Sequence, residues 1–154
     1  MIRICFVCLG NICRSPMAEF IMKDLVKKEG LEKEFLIESR GTSDEEKGND
    51  TYYGTKKVLD KYNIPYTRHY ATRLLKSDYE KFDFFIGMDN YNVLSMKKLF
   101  GTDNKVYKLL DFTKKDKEID DPWYTNDFNS TYNAIKYGCD CLLKDLVKKG
   151  ECYD

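Results

Sequence analysis

The sequence has only one histidine, one tryptophan and three prolines in 154 residues, and it carries no excess charge of either sign. With 26 basic and 26 acidic residues, the formal net charge is zero, so nothing indicates a nucleic-acid surface or a polybasic membrane anchor. No segment approaches the ~20 apolar residues of a membrane span, and the N-terminus lacks a secretory signal. We therefore expect a cytoplasmic protein without nucleic-acid or membrane partners. The chain also lacks repeats and Pro- or Ser-rich linkers, so residues 1–154 are expected to form one domain.

Six cysteines are present, enough for three disulfides or a zinc site. A chain of this size does not need disulfides for stability, so mostly reduced thiols are expected. The pairs Cys5/Cys8 and Cys139/Cys141 lack a convincing set of further ligands, and a single histidine does not complete one. We expect neither a metal ion nor a cofactor.

The most informative segment reads Cys8-Leu9-Gly10-Asn11-Ile12-Cys13-Arg14-Ser15-Pro16. An apolar run over residues 2–7 predicts a buried strand before it, and the Ser-Pro pair opens a helical pattern after it. A loop that enters a helix N-terminus points free backbone N–H groups at one place, which suits an anion. Arg14 adds a planar guanidinium that pairs two phosphate oxygens at once. Cys8 ends the strand at the floor of this cup, where positive surroundings favour the nucleophilic thiolate.

The alternative to this anion cup is a surface Gly-Asn turn that happens to contain two cysteines. A C-x5-R spacing alone is weak, but the whole segment between a strand and a Ser-Pro helix start is specific. A nucleotide-binding loop is excluded, because no Gly-Lys-Ser/Thr follows. Asn11 is expected to hold the loop in shape, since asparagine tolerates left-handed backbone angles. Ser15 is a good N-cap, and Cys5, inside the strand, is expected to be structural.

Strands alternate with helices along the chain, which implies a parallel sheet covered by helices on both faces. The strands are predicted at residues 2–7, 35–37, 82–87 and 105–110. The helices are predicted at residues 16–30, 51–62, 90–100 and 128–149, with loops over 43–49 and 111–127. Ligands bind such sheets at the carboxyl ends of strands, at a switch point, and the loop after the first strand is such a place.

The segment from Cys8 to Pro16, together with Asp121-Pro122-Trp123-Tyr124, resembles the low-molecular-weight protein tyrosine phosphatases. Their signature reads C-x-G-N-x-C-R-S-P near the N-terminus, with Asp-Pro-Tyr/Trp-Tyr before the last helix. The resemblance implies an α/β fold with a small doubly wound four-stranded parallel sheet and a phosphate loop after strand one. It also implies hydrolysis of phosphotyrosine proteins or small aryl phosphates through a phosphocysteine, without a cofactor. We expect a monomer that phosphate and other oxyanions inhibit.

The resemblance implies catalytic roles for Cys8, Arg14 and Asp121, the last as general acid and then as base. Contacts to phosphate and substrate are implied for Leu9, Gly10, Asn11, Ile12, Cys13, Ser15, Trp123 and Tyr124. An acid is needed because a phenolate is a poor leaving group, and proton donation typically contributes ~10²–10⁴-fold. Asp120 is the alternative acid, but the family places its acid immediately before proline, which selects Asp121.

Second roles stay open for several of these residues. Ser15 either caps the helix or, as the resemblance implies, donates a hydrogen bond to the thiolate. The aromatic pair Trp123 and Tyr124 either walls the pocket or anchors the core. Ser39, His69 and Asp89 match positions that support the loop in the family, so the resemblance implies a supporting role for them. A lone histidine, however, is more often a plain surface or core residue.

The sequence also departs from the family pattern. Residues 44–46 are acidic where the family often has an aromatic residue, which changes the substrate-facing wall. Thr125 replaces a glycine, and Thr72 replaces an arginine, with Arg73 next to it. Relatives that act on phosphoarginine tend to carry threonine at the position of Ile12, so this residue favours phosphotyrosine.

Two other functions compete with the phosphatase. An arsenate reductase on the same fold needs a relay of thiols on a mobile segment, whereas Cys139 and Cys141 fall in a predicted regular helix. A phosphotyrosine-binding module would be expected to lose the nucleophile or the acid, and this chain keeps both. Cys8 and Cys13 lie in one tight loop, and with the family resemblance this predicts redox regulation through a disulfide between them.

Overall fold

The computed structural model describes residues 1–115 and 117–147. The strands of this part are β1 (Ile2–Cys8), β2 (Phe35–Gly41), β3 (Phe84–Gly87) and β4 (Val106–Lys108). The α-helices are α1 (Arg14–Lys28), α2 (Tyr53–Lys61), α3 (Asn90–Phe100), α4 (Pro122–Thr125) and α5 (Phe128–Val147). Short 3₁₀ turns lie at Glu32–Glu34, Lys76–Lys81 and Leu109–Phe112. Within these residues, no helix has both the length and the apolar character of a membrane span.

The described strands form one parallel sheet in the order β2-β1-β3-β4. This confirms the expected α/β fold with a four-stranded parallel sheet. The strand order reverses at β1, so the switch point, where such sheets bind ligands, lies at the carboxyl end of β1. Cys8 pairs with Gly41 at this edge, which brings the loop after β1 against the end of β2.

Strand β1 is buried on both faces, because its side chains alternate between two apolar clusters. Ile4, Phe6 and Cys8 belong to the cluster that α1 and α5 complete. Cys5 and Val7 point the other way, into a cluster formed with β3, β4 and α3. Helices on both faces therefore explain why this strand is a continuous apolar run.

Of the two roles left open for Ser15, the structure does not show the helix cap. Helix α1 begins one residue earlier, at Arg14, and no side chain caps its N-terminus at Cys13. Ser15 is consequently inside the first turn and fully buried, with its hydroxyl 3.0 Å from the Cys8 sulfur. The loop runs directly into the helix, and the N–H of Ser15 in the first turn lies 3.4 Å from the Cys8 sulfur. A helix N-terminus without a side-chain cap suits an anion site.

The sheet strands also start or end differently from the prediction. Strand β3 begins at Phe84 rather than at residue 82, because the preceding Asp83 binds the backbone and side chain of Arg3. Strand β4 ends at Lys108, and the next residue turns under α5. There Leu109 lies so close to Gly138 that an added Cβ would be 2.6 Å from its Cγ.

The other predicted helices lie close to the observed ones, with two differences near the C-terminus. The predicted loop over 111–127 contains the single-turn helix α4 and the last two residues of the 3₁₀ turn at Leu109–Phe112. Helix α5 is present through Val147, and the last two residues of its predicted range lie outside the described residues.

Cys5, Cys8, Cys13 and Cys139 are free thiols, as expected. Cys141 is disulfide-bonded, which differs from the expectation at that position.

Candidate active site

The loop between β1 and α1 is tied to the protein through its carbonyl groups. The carbonyls of Cys8 and Leu9 accept hydrogen bonds from Thr42 and Ser43, and that of Ile12 accepts one from Tyr52. With these carbonyls engaged outside the loop, we expect the loop's N–H groups to face the cup that Cys8 and Arg14 line.

Asn11 holds the centre of this loop. Its backbone is left-handed, with φ of 59°, a conformation that asparagine tolerates better than most residues. Its side-chain nitrogen donates to Ser15 Oγ at 2.8 Å and to Ser39 Oγ at 3.0 Å. Its side-chain oxygen accepts from the backbone N–H of Thr72 at 2.9 Å. Since Thr72 contributes only its backbone here, the departure from the family's arginine leaves this contact intact.

These contacts bear on the hydrogen bond between Ser15 and Cys8. Ser15 Oγ accepts from Asn11, and two acceptors lie near its own proton: the Cys8 sulfur at 3.0 Å and the carbonyl oxygen of Arg40 at 3.4 Å. On the other branch, Ser39 accepts from Asn11 and donates to Glu19 Oε1 at 2.7 Å. Asn11 therefore links two branches of hydrogen bonds. One branch leads through Ser15 to the Cys8 sulfur, and the other leads through Ser39 to Glu19.

Arg14 is 3% exposed and held by the loop that carries the predicted acid. Its Nη1 donates to Asp89 Oδ2 at 2.7 Å and to the carbonyl of Ile119 at 2.9 Å, while Nη2 lies 3.6 Å from Asp121 Oδ2. Burial acts to lower the pKa of Arg14, but Cys8, Asp89 and Asp121 together raise it above its usual value. The guanidinium therefore stays charged beside the sulfur.

Asp121 enters the site from the start of α4. Its Oδ1 caps this turn by accepting from the N–H of Trp123 at 3.0 Å, which leaves Oδ2 on the side of Arg14. The adjacent Asp120 is exposed and lines a different surface cavity. Of the two candidate acids, the structure thus brings Asp121 and not Asp120 to the cup.

The segment that carries Asp121 is fastened to β3 and α3. The N–H of Ile119 donates to the carbonyl of Met88 at 3.0 Å. Glu118 Oε1 accepts from the N–H of Asn90 at 2.6 Å. These contacts place the segment before Asp121 over the start of α3.

The cup is a cavity of about 90 Å³. It is lined by Cys8, Leu9, Gly10, Ile12, Cys13, Arg14, Glu45, Glu46, Asp121, Trp123 and Tyr124. Trp123 and Tyr124 are 53% and 79% exposed, so they are walls of the opening rather than core anchors. Trp123 meets Tyr52 edge-to-face at 5.1 Å between centroids, which supports that wall from behind.

One part of the wall is acidic. Glu45 and Glu46 both line the cavity, whereas Asp44 is paired with Arg73 at 2.8 Å. Glu46 also accepts a hydrogen bond from the Asn49 side-chain amide at 2.6 Å.

His69 lies beside the loop as predicted for a supporting residue. Its Nε2 is 2.7 Å from the carbonyl oxygen of Asn11. Asp50 fixes the backbone of His69 by accepting from its N–H at 3.0 Å. Desolvation acts to raise the pKa of Asp50, but contacts from Lys56, His69 and Thr51 prevail and lower it to about 2.

The other cysteines differ from Cys8 in their surroundings. Cys13 shares the cavity, and burial, followed by the proximity of Cys8 and Asp121, raises its pKa to about 12. Burial raises the pKa of Cys5 and of Cys139, which are both fully buried in the core. In the described residues, no group of three His, Cys, Asp or Glu side chains is placed to hold a metal ion.

Three residues of the site were not predicted from the sequence. The role of Glu19 had no signal, because a carboxylate in an amphipathic helix is typical of a solvated face. Gly41 lies against the loop, where an added Cβ would be 2.9 Å from the carbonyl oxygen of Leu9 and 3.0 Å from Asn11 Cβ. Glu118 accepts a hydrogen bond from the backbone N–H of Asn90, and a contact to a backbone group has no sequence signature. The only sequence signal for Glu118 is that it lies close to the Asp-Pro motif.

A cysteine and an arginine at the two ends of an anion loop, with an aspartate opposite, define the class of cysteine-dependent phosphatases. Comparison with known proteins agrees. The family model for low molecular weight phosphotyrosine protein phosphatases matches residues 3–152. The chain belongs to this family, which confirms the resemblance and the expectation of a protein tyrosine phosphatase.

Individual relatives cover nearly the whole chain. The low molecular weight protein-tyrosine-phosphatase PtpA of Staphylococcus epidermidis is 39% identical over 150 residues, which is 96% of both chains. The crystal structure of YfkJ from Bacillus subtilis is 37% identical, with a TM-score of 0.94 over 98% of both chains. That of a low molecular weight protein tyrosine phosphatase from Streptococcus pyogenes is 42% identical, with a TM-score of 0.85, covering 95% of this chain and 93% of that one.

Proposed function

We propose that this protein hydrolyses phosphotyrosine in proteins, and small aryl phosphates, in two steps through a phosphocysteine on Cys8. The observation that carries the proposal is that the Cys8 sulfur, the Arg14 guanidinium and the Asp121 carboxyl line one cavity. These are the nucleophile, the anion ligand and the proton donor that such a reaction needs.

In the first step the phosphoryl group lies in the loop. The loop's N–H groups and Arg14 contact its non-bridging oxygens, where negative charge is spread in the transition state. Both are fixed before substrate arrives, Arg14 by Asp89 and Ile119 and the loop by its outward carbonyl contacts. Little reorganisation is therefore needed as the charge develops.

Cys8 attacks phosphorus as the thiolate. Ser15 supports this form in two ways, because its hydroxyl lies 3.0 Å and its backbone nitrogen 3.4 Å from the sulfur. The Asn11 amide donates to the same oxygen, and the thiolate at 3.0 Å is a nearer acceptor for the hydroxyl proton than the carbonyl oxygen of Arg40 at 3.4 Å. Serine thus acts on the nucleophile and not as a helix cap.

Asp121 donates the proton that the leaving tyrosine oxygen takes up. Its Oδ1 is engaged with the Trp123 N–H, so Oδ2 carries this proton toward the cup. In the second step the resulting carboxylate accepts a proton from water as the water attacks the phosphocysteine. Phosphate is released, and both Cys8 and Asp121 return to their starting forms.

The competing functions find less support. For a thiol relay, Cys139 lies in the core, with its sulfur 3.9 Å from the carbonyl of Ala18 in α1, and it does not line the cup. A binding module without turnover does not need a nucleophile or an acid, whereas Cys8 and Asp121 line the same cavity here.

Steady-state turnover of 4-nitrophenyl phosphate and phenyl phosphate, which differ in leaving group, tests the proposal. Cys8→Ser is expected to lower kcat about 10⁴-fold or more on both substrates while the fold is kept, because a serine hydroxyl is not ionised here. Asp121→Asn is expected to lower kcat about 10²–10⁴-fold on phenyl phosphate and much less on the better leaving group.

Asp120→Asn is the matched control, since this neighbouring carboxylate lies outside the cup. It should leave both rates unchanged. Substantial hydrolysis by Cys8→Ser would contradict the phosphocysteine. A leaving-group dependence in Asp120→Asn rather than in Asp121→Asn would transfer the acid to the other residue.

A further inference from the structure

A second cavity adjoins the cup on the side of α3. It has a volume of about 410 Å³ and a mostly apolar surface. It is lined by Leu9, Arg14, Thr42, Asp89, Tyr91, Asn92, Ser95, Asp121 and Tyr124. We refer to it as the α3 groove. Its size lies in the range of roughly 300–1,000 Å³ that is typical of ligand pockets.

The α3 groove and the cup have a common wall. Leu9, Arg14, Asp121 and Tyr124 line both cavities. The groove therefore opens beside the site where a phosphotyrosine would place its phosphate. A protein substrate continues in both directions from that tyrosine, so a neighbouring residue can reach this surface.

The chemistry of the groove selects an apolar occupant. Its outer walls are Tyr91 and Tyr124, 82% and 79% exposed, together with Leu9, 42% exposed. At its inner end Arg14 and Asp89 neutralise each other, with 2.7 Å between Nη1 and Oδ2. The groove thus offers exposed aromatic and aliphatic surface, whose burial is favourable, and no uncompensated base for an acidic side chain.

We propose that the α3 groove is a substrate subsite that binds an aliphatic or aromatic side chain close in sequence to the phosphotyrosine. The proposal rests on the proposed function, because it takes the cup as the phosphotyrosine site. It assigns Tyr91 and Ser95, which do not line the cup, a role in choosing among phosphoproteins.

The test uses matched phosphopeptides in which each position near the phosphotyrosine carries either leucine or serine. At one position, leucine is expected to raise kcat/KM about fivefold to tenfold, as burial of part of an aliphatic side chain predicts. Tyr91→Ala should remove most of this preference while leaving turnover of 4-nitrophenyl phosphate unchanged, because that substrate does not reach the groove.

Leu94→Ala is the matched control, since Leu94 is also an exposed apolar residue of α3 but does not line the groove. It should keep both the leucine preference and the aryl phosphate activity. Ser95→Phe provides a second variant that fills the groove instead of opening it. It should raise KM for the leucine peptide alone.

The outcomes separate this inference from the proposed function. Active enzyme that discriminates leucine from serine at no position, or a leucine preference that survives both Tyr91→Ala and Ser95→Phe, overturns the α3 groove as a subsite. A parent protein that hydrolyses neither peptides nor aryl phosphates overturns the proposed function, and the subsite with it.

Discussion

Arg14 and Asp89 meet in a charged contact, with 2.7 Å between Nη1 and Oδ2, that joins the end of the loop after β1 to the start of α3. The other oxygen of Asp89 caps α3 by accepting from the N–H of Asn92 at 2.8 Å. One carboxylate therefore orients the Arg14 guanidinium and begins a helix that also forms part of the α3 groove.

Replacing Asp89 by asparagine is expected to lower kcat/KM for an aryl phosphate about tenfold. Asparagine is as good a helix cap as aspartate, so α3 should persist, but the charge that holds Arg14 is lost. The control is Asp83→Asn, which removes the carboxylate of another arginine pair, that with Arg3. Steady-state kinetics and thermal melts on both variants check this, and equal activity losses would contradict it.

Gly41→Ala should impair the active site through packing alone. Its Cβ would lie 2.9 Å from the Leu9 carbonyl oxygen, so the phosphate loop must shift. We expect about 1–3 kcal/mol of destabilisation and at least a tenfold loss of kcat.

Gly138→Ala is the comparison for this effect. It overpacks Leu109 in the core, with the added Cβ 2.6 Å from Cγ, but does not touch the loop. Denaturant unfolding should show both variants destabilised, while only Gly41→Ala loses kcat. Full activity in Gly41→Ala would show that the loop tolerates the displacement.

The acidic part of the wall should affect which phosphopeptides are turned over. Glu45→Gln/Glu46→Gln is expected to raise kcat/KM a few-fold for peptides with acids beside the phosphotyrosine, because like charges repel. The gain should disappear at high salt. Glu32→Gln/Glu34→Gln, a pair of exposed acids before β2 and so at the far end of the sheet, is the control. No difference at low salt would place the substrate away from this wall.

Cys13 is expected to protect the nucleophile against irreversible oxidation. Peroxide converts the Cys8 thiolate to a sulfenic acid, and the Cys13 thiol then displaces water to form a disulfide. Parent enzyme inactivated by peroxide should therefore regain activity with dithiothreitol, whereas Cys13→Ser should be active beforehand but recover poorly. Cys139→Ser, which removes a free thiol of the core, should recover like the parent. Full recovery of Cys13→Ser would exclude this role.

Asp50 should make stability depend on pH in the acid range. Its pKa is lowered to about 2 in the folded protein from the model-compound value of 3.8, so folding favours the ionised form. This stabilisation is complete above the unfolded-state pKa and is lost as the pH falls toward about 2. Asp50→Asn should therefore be less stable than the parent at neutral pH, and the difference measured by urea unfolding should shrink as the pH falls below about 4. A constant difference would contradict the shift.

Much of the fold was predictable because local patterns agreed with it. The apolar run of β1 predicts a strand buried on both faces, and the spacing of α5 predicts the face that Ile135, Cys139 and Leu142 bury. By contrast, residues 109 and 110 are as apolar as a strand, and their burial under α5 depends on the absence of a side chain at Gly138. Such a long-range fit leaves no local signal.

The site shows the same division. The positions of Cys8, Arg14 and Asp121 in one cavity were predictable from two motifs. The environment of Ser15 was not, because serine before proline is equally typical of a helix cap. Glu19 and Gly41 act across the fold, on Ser39 and on the Leu9 carbonyl, and only the structure brings them to the loop.

The alternation of β1 between two apolar clusters has a consequence for motion. A strand anchored on both faces exchanges its amide hydrogens only when the whole protein opens, whereas surface segments exchange through local fluctuations. We therefore expect the sulfur of Cys8 to be carried by an element whose amides exchange slowly. Asp121 begins a single helical turn with exposed aromatic neighbours, and we expect the amides of this turn to exchange faster. Opening limited to this turn would leave the Cys8 sulfur in its position.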